Sequence, residues 1–274
     1  MFILVMFKLI KILHLINFNN KAGIKMLTEH DKQILSRLQN NYPEAYDLFM
    51  RREAEHRELL KTGCHDIRNI VTLLSGSYQL LGLTTPQLNS IPRFVKMGDD
   101  IKALIKAFND IALYRYAGTI TPVSTDLSTL ENSIRQFITD EHYDVADSVR
   151  LICNNPDASI NTDIQRLSNA AQCLIANAIE ACDYSSDASA PITVNLSLGS
   201  DNRLIIKVTN IGSAPDSEIS DKMFNPFCTD KSEHLGLGLA VAAETADALD
   251  GTISYSHDLG VTSFILAVPA VVRT

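Results

Sequence analysis

From Thr28 to about Leu81 apolar residues recur at intervals of three and four among many Arg, Glu and Lys, with Pro43 the only proline. That period predicts a long helix. The stretch "GLTTPQLNSIP" (82–92) holds two prolines, a glycine and small polar residues, and predicts a turn. "RFVKMGDDIKALIKAFNDIALYRY" (93–116) resumes the helical period, with apolar residues at 94–95, 97, 101, 104–105, 108 and 111–112. Two helices joined by a turn make a hairpin, and one hairpin cannot close a core on every side. Pairing with a second copy as a dimeric four-helix bundle is the economical solution.

After Gly118 the period changes. "SVRLICNN" (148–155), "PITVNLSLG" and "RLIIKVTN" read as strands, the last two forming a hairpin around Ser200-Asp201-Asn202. Helices are expected at 128–139, 163–183 and 237–249, and a last strand, "TSFILAVP" (262–269), ends the pattern. The expected fold class is therefore α+β: an N-terminal helical hairpin followed by an α/β sandwich with helices covering one face of a sheet. The expected domains are an apolar segment at 1–25, the hairpin at 26–118 and the sandwich at 119–274.

Composition narrows the function classes. Of 274 residues 46% are hydrophobic and 20% charged, enough for a sizeable core. The net charge of −8 argues against binding nucleic acid through a basic surface. Five scattered cysteines (Cys64, Cys153, Cys173, Cys182, Cys228) make no C-x-x-C pair, so neither a disulfide framework nor a zinc site is expected, and a reducing cytosol fits. The first eighteen residues are strongly apolar but are interrupted by Lys8, Lys11, His14 and Asn17. A spanning helix needs roughly 20 mostly uncharged residues, and no small-residue cleavage site follows. The favoured reading is an unused upstream start with Met26 as the beginning. Location is then cytoplasmic, with membrane contact only if residues 1–18 form a surface helix.

Within the first helix lies "TGCHDIRNIVTLLSG" (62–76). At 100° per residue, Leu60, Ile67, Ile70, Val71, Leu74, Tyr78 and Leu81 gather within about 60° of one direction, and His65 points about 160° away. A core histidine is thus disfavoured; a plain surface histidine remains open. The chemistry gives the arrangement a motive. A neutral imidazole is a competent nucleophile near neutral pH. Asp66 beside it can orient the ring or take its proton, and Asn69, one turn on, shares its face.

The second half holds candidate donor-site residues. "LIANAIEACD" (174–183) carries Asn177 and Glu180 on an apolar helix, and an amide oxygen suits magnesium. "VTNIGSAP" (208–215) leaves a strand at Asn210 and Gly212, where a flat base can approach the backbone. "MFNPFCTDKSEHLGLGLAVAAE" (223–244) runs through a polar linker into Gly236-x-Gly238 and an apolar helix, so backbone N–H groups at a helix start can face an anion. Position 241 is Val where a dinucleotide fingerprint has its third glycine, and no G-K-[ST] follows. Lys231, on the linker, is placed to reach a terminal phosphate. Each segment alone also reads as ordinary helix, turn or loop.

Their order is more specific. "HDIRN", "NAIEA", the strand-ending Asn-x-Gly, "NPFCTDK" and "LGLGLA" follow one another as in sensor histidine kinases, and the resemblance covers about residues 50–270. It implies a dimerisation hairpin and an ATP-binding domain of the Bergerat (GHKL) fold. On that resemblance His65 takes the γ-phosphoryl group of Mg-ATP and passes it to an aspartate on a response-regulator receiver domain. Asp66 and Asn69 match the acid and amide positions used for transfer and regulator dephosphorylation. Asn177 matches the magnesium ligand; Glu180, Asn210, Gly212, Lys231, Gly236, Gly238 and Thr262 fall at nucleotide-binding positions. Three features depart from the pattern: Asn210 stands where an aspartate is usual, Cys173 where a further asparagine is common, and the loop from Thr229 to Leu235 is short for an ATP lid. The alternative is a dimeric phosphotransfer or scaffold protein with a degenerate ATP domain.

Overall fold

The computed structural model describes residues 36, 39–185, 191–199, 201–231 and 234–270. The expected segment at 1–25, the Leu60 side chain and Ser200 lie outside the described residues. The chain divides into two compact units, up to Ala112 and from Leu113 onward, a boundary that falls inside a helix.

In the first unit, α1 spans Pro43–Thr84. Pro43 sits at its start, where the missing N–H would have had no intrahelical partner. The expected turn is partly helical: α1 runs on through Thr84, a 3-10 turn spans Pro86–Ser90, and α2 begins at Pro92 and ends at Ala117. Each proline sits where a helix starts, so the prolines divide the helices without erasing them. The two helices meet through Tyr78 and Phe94, stacked at 4.4 Å. Gly98 makes that contact feasible, because a Cβ there would meet the Tyr78 ring at 2.6 Å. Arg68 donates to Asn109 Oδ1 across the hairpin at 2.8 Å. Val71, Phe94, Ile101 and Phe108 are buried.

The second unit is a two-layer sandwich. Its strands and helices are β1 (Val123–Asp126), α3 (Leu127–Glu141), β2 (Val149–Cys153), β3 (Ser159–Thr162), α4 (Ile164–Glu180), β4 (Ile192–Leu198) and β5 (Arg203–Ile211). After these come a single turn α5 (Ser217–Ser220), α6 (Gly238–Ala248), β6 (Thr252–Asp258) and β7 (Val261–Pro269). The main sheet has the order β2-β4-β5-β7-β6, with only the β2–β4 pair parallel. β1 and β3 make a separate antiparallel pair.

Alternation decides which face is covered. Ile192, Val194 and Leu196, then Leu204, Ile206 and Val208, then Phe264, Leu266 and Val268 are all buried. They pack with Leu127, Leu130 and Ile134 of α3, Leu167, Leu174 and Ile175 of α4, and Ala242 and Ala246 of α6. The opposite residues of each strand stay half-buried or exposed, so helices cover one face of the sheet only. Strands β1, β3 and β6 were not among the sequence-based expectations. β1 and β3 have four residues each, and β6, "TISYSHD", alternates serine and threonine with only two apolar residues.

Candidate active site

The first group of predicted residues sits midway along α1. The His65 side chain is 69% exposed and Asp66 68% exposed, so the imidazole faces solvent. Its Nδ1 lies 3.5 Å from Asp66 Oδ1 and 3.3 Å from Asn69 Nδ2. These neighbours favour different tautomers. The carboxylate is served by an N–H on Nδ1, whereas the Asn69 amide as placed donates to a bare Nδ1. Only the first tautomer leaves a lone pair on Nε2, the outward nitrogen. At 3.5 Å the carboxylate orients the ring more by charge than by a strong hydrogen bond.

The second group lies in the second unit, where α4, α6 and the ends of β5 and β7 come together. α4 opens with Asp163, which accepts from Arg166 N at 3.0 Å and from Thr121 N at 2.7 Å. Its apolar stripe faces the sheet, leaving Cys173 and Asn177 half-buried one turn apart. The Asn177 carboxamide has no hydrogen-bond partner among the described residues.

Each predicted glycine has its own reason. At Gly212 a Cβ would lie 2.3 Å from the Ala181 carbonyl oxygen, so the end of α4 closes against the end of β5. Gly236 has φ +65, and a Cβ there would meet the Cys228 backbone at 2.5 Å. Its carbonyl accepts from Phe227 N at 2.9 Å, fixing the base of the loop between them. Gly238 differs: among the described residues the only atom near an added Cβ is Cys173 Cβ at 3.7 Å, an ordinary contact. Protein packing therefore leaves room at Gly238, the first residue of α6. Leu237 occupies the cap position of that helix, and its side chain makes no hydrogen bond to the leading N–H groups.

Asn210 is 1% exposed, and its Nδ2 donates to the Ala181 and Ile211 carbonyls at 3.4 Å each. Thr262 stands directly opposite it in the β5–β7 register. Sequence reasoning missed His257, whose Nδ1 shares a 2.9 Å hydrogen bond with Thr262 Oγ1; the strand that carries it was not expected. Lys231 Nζ donates to Glu180 Oε2 at 2.7 Å, and His234, also missed, lies 3.5 Å from the same carboxylate. The two predicted residues thus hold each other. Beyond Glu180, burial pushes the Cys182 thiol up, while the Ser185 hydroxyl and N–H hold the Asp183 carboxyl down. An open cleft of about 450 Å³ lies elsewhere, against β1 and the start of α4, lined by Thr121, Val123, Asp163 and Arg166 among others; none is a predicted site residue.

Comparison with known proteins bears on this arrangement. Residues 162–272 match the model of the histidine kinase-, DNA gyrase B- and HSP90-like ATPase family. The chain is 28% identical over 247 residues to the autoinducer 2 sensor kinase/phosphatase LuxQ of Vibrio harveyi, covering 80% of this chain and 28% of that protein. It is 26% identical over 207 residues to the sensor histidine kinase ZraS of Escherichia coli (strain K12), covering 75% and 43%. The chain therefore spans less than half the length of these two curated relatives. Among solved structures, full-length ShkA in complex with AMPPNP superposes with a TM-score of 0.63 at 19% identity, over 79% of this chain and 46% of that one. The Acinetobacter baumannii histidine kinase AdeS gives 0.51 at 20%, over 75% and 97%. Both likenesses concern the fold. No helix among the described residues is long and apolar enough to cross a membrane. The match over residues 162–272, together with the sensor-kinase relatives, supports a histidine kinase GHKL ATP-binding core, which follows a helical N-terminal region.

Proposed function

We propose that the chain is an ATP-dependent protein-histidine kinase of a two-component system, which phosphorylates His65 and hands the phosphoryl group to a response-regulator aspartate. The single observation carrying the reading is that a solvent-facing imidazole, flanked by a carboxylate and an amide, stands on a chain that also holds an ATP-binding core. In the step itself His65 Nε2 forms a bond to the γ-phosphorus while the bond to the bridging oxygen breaks, releasing ADP. Asp66 keeps the proton on Nδ1, directs the lone pair of Nε2 outward and offsets the charge that develops on the ring. Asn69, one helical turn from His65, is assigned to orient the water that attacks the phosphoaspartate of the regulator, releasing inorganic phosphate.

On the nucleotide side, Asn210 and Thr262 are assigned to the base. Gly236 and Gly238, with the uncapped N–H groups of α6, are assigned to the phosphates. The Asn177 amide oxygen suits magnesium, which takes oxygen ligands and leaves the rest of its shell to phosphates and water. Bound there, magnesium would neutralise phosphate charge. Space at Gly238 and an Asn177 carboxamide without a hydrogen-bond partner among the described residues support a working site over a degenerate one. A homodimer is assigned through the hairpin, whose outward apolar residues one chain leaves uncovered.

The test is incubation with γ-labelled ATP and Mg²⁺, comparing wild type with His65→Gln. Acid-labile, base-stable label on the wild type and none on the variant is expected. Acid-stable label, or equal labelling of both, overturns the assignment.

A further inference from the structure

Three side chains stand in a row across neighbouring strands at one end of the sheet. Asn210 on β5 is opposite Thr262 on β7, and Thr262 is opposite His257 on β6. The next rows inward, Val208–Phe264–Tyr255 and Ile206–Leu266–Ile253, are almost entirely apolar. The polar row therefore closes the end of the core, on the face that carries α4 and α6. Asn210 is fixed within it. Two carbonyls surround its Nδ2, and only an NH₂ group satisfies them, so Oδ1 is the atom left to accept. What Thr262 presents is set by His257. A hydroxyl has one proton to give. If Nδ1 is bare, the ring takes that proton and Thr262 presents lone pairs alone. If Nδ1 carries hydrogen, the ring donates at 2.9 Å and the Thr262 proton is free to point away from it.

Resting on the nucleotide reading above, we propose that His257 is a positioning residue for base selection. Its Nδ1–H donates to Thr262 Oγ1, so that the row presents an acceptor at Asn210 beside a donor at Thr262. That pair complements the edge of an aminopurine, where an amino donor adjoins a ring-nitrogen acceptor. It opposes the edge of guanine, where a carbonyl adjoins a ring N–H. Discrimination is large where buried polar groups would be left unmatched. His257 acts here through Thr262, by orienting one hydroxyl proton.

The test is calorimetric titration of AMPPNP and GMPPNP, each with Mg²⁺, into the full chain. Wild type is expected to prefer the adenine analogue. His257→Phe, which keeps a flat ring but no Nδ1, should weaken AMPPNP by about 10-fold and leave GMPPNP within about 2-fold. His257→Gln, whose amide can still donate, should recover most of the loss. His257→Leu supplies the same comparison if the Phe variant does not fold. An unchanged AMPPNP-to-GMPPNP ratio in the Phe or Leu variant overturns the proposal, as does equal weakening in the Gln and Phe variants, which would make the residue packing alone. Asn210→Ala separates the two readings. If it abolishes AMPPNP binding while His257→Phe does not weaken it, only the His257 role falls. If wild type binds neither analogue, the nucleotide reading falls with it.

Discussion

The hairpin and the sandwich treat apolar surface in opposite ways. In the sandwich, Leu127, Leu130, Ile134, Leu167 and Leu174 are wholly buried, and three consecutive strands turn every second residue into one core. In the hairpin, Leu73, Leu80 and Leu83 are 73%, 61% and 79% exposed, while Val71 and Ile101 are buried. The sandwich closes on itself; the hairpin covers only part of its apolar surface with one chain. Their chemistry differs in the same sense. On the proposed function, a nucleophile reached by a donor and then by a regulator belongs on an exposed helix, whereas a nucleotide needs a site framed by packed elements. The sharpest test of this contrast is a pair of truncations. Leu174→Ala, at a fully buried position, should cost about 2–5 kcal/mol in urea unfolding followed by a probe in the sandwich, at any protein concentration. If the hairpin pairs as proposed, Leu80→Ala should cost little within one chain but lower a concentration-dependent midpoint of the hairpin, because a partner would cover that face. A hairpin midpoint that ignores concentration would break the comparison.

The glycines sharpen it within the sandwich. Gly236→Ala adds a methyl where φ is positive and the Cys228 backbone lies 2.5 Å away, so the loop base must shift at a cost of about 1–3 kcal/mol. Gly238→Ala meets only Cys173 at 3.7 Å and should leave the melting temperature near that of wild type. It should still weaken AMPPNP about 10-fold, because the methyl fills space assigned to phosphate. Thermal melts and AMPPNP titrations of both variants check this. Loss of stability at position 238 with unchanged affinity would show that its space belongs to the protein.

How much of this was legible in the sequence follows from the strength of each local signal. α4 was expected at 163–183 and occupies Ile164–Glu180; α6 was expected at 237–249 and occupies Gly238–Ala248. Both have apolar stripes facing a sheet, and β4, β5 and β7 were readable because they alternate strongly. The exposure of His65 was readable for the same reason, since helical phase alone turned it from the apolar stripe. β6 was not readable. Its sequence offers only Ile253 and Tyr255 as apolar residues among serines and a threonine, and its connection to β7 turns on Leu259 and Gly260, both at positive φ. A leucine in the left-handed region conceals a two-residue turn that Asn or Asp would have announced. His257 went unseen with its strand. The Lys231–Glu180 contact was hidden by distance, since 51 residues separate the partners.

That contact sets a smaller effect. The side chains of Lys231 and Glu180 are 34% and 31% exposed, so their ion pair is worth within about 1 kcal/mol of stability. Its interest is competitive: while Lys231 donates to Glu180, the carboxylate offsets part of the charge that the lysine could offer a phosphate. Glu180→Gln should release it and tighten AMPPNP by about 3-fold at low salt, with the gain shrinking as salt screens the lysine. Weaker binding in the variant would show instead that Glu180 itself holds the nucleotide, as the family resemblance implies.

The smallest effect concerns Glu244 on α6. It is half-buried; a Cβ on Gly118 would lie 2.9 Å from its Oε1, and its charge adds to the burial that pushes the Tyr114 hydroxyl up. Burial first, and the Asp247 charge second, raise the Glu244 carboxyl above its ordinary value of 4.5. A raised carboxyl binds its proton more tightly in the folded chain than in the unfolded one. The penalty is therefore absent below the ordinary value, grows as pH rises through the window between that value and the folded one, and is complete above it. Glu244→Gln removes the charge and should raise the melting temperature slightly at pH 7, with the advantage vanishing as pH falls through that window. Melts of both proteins at acid and neutral pH read the sign. A variant that melts lower at neutral pH would mean that the carboxylate is held by a favourable partner, and burial would then not be what governs this corner of the sandwich.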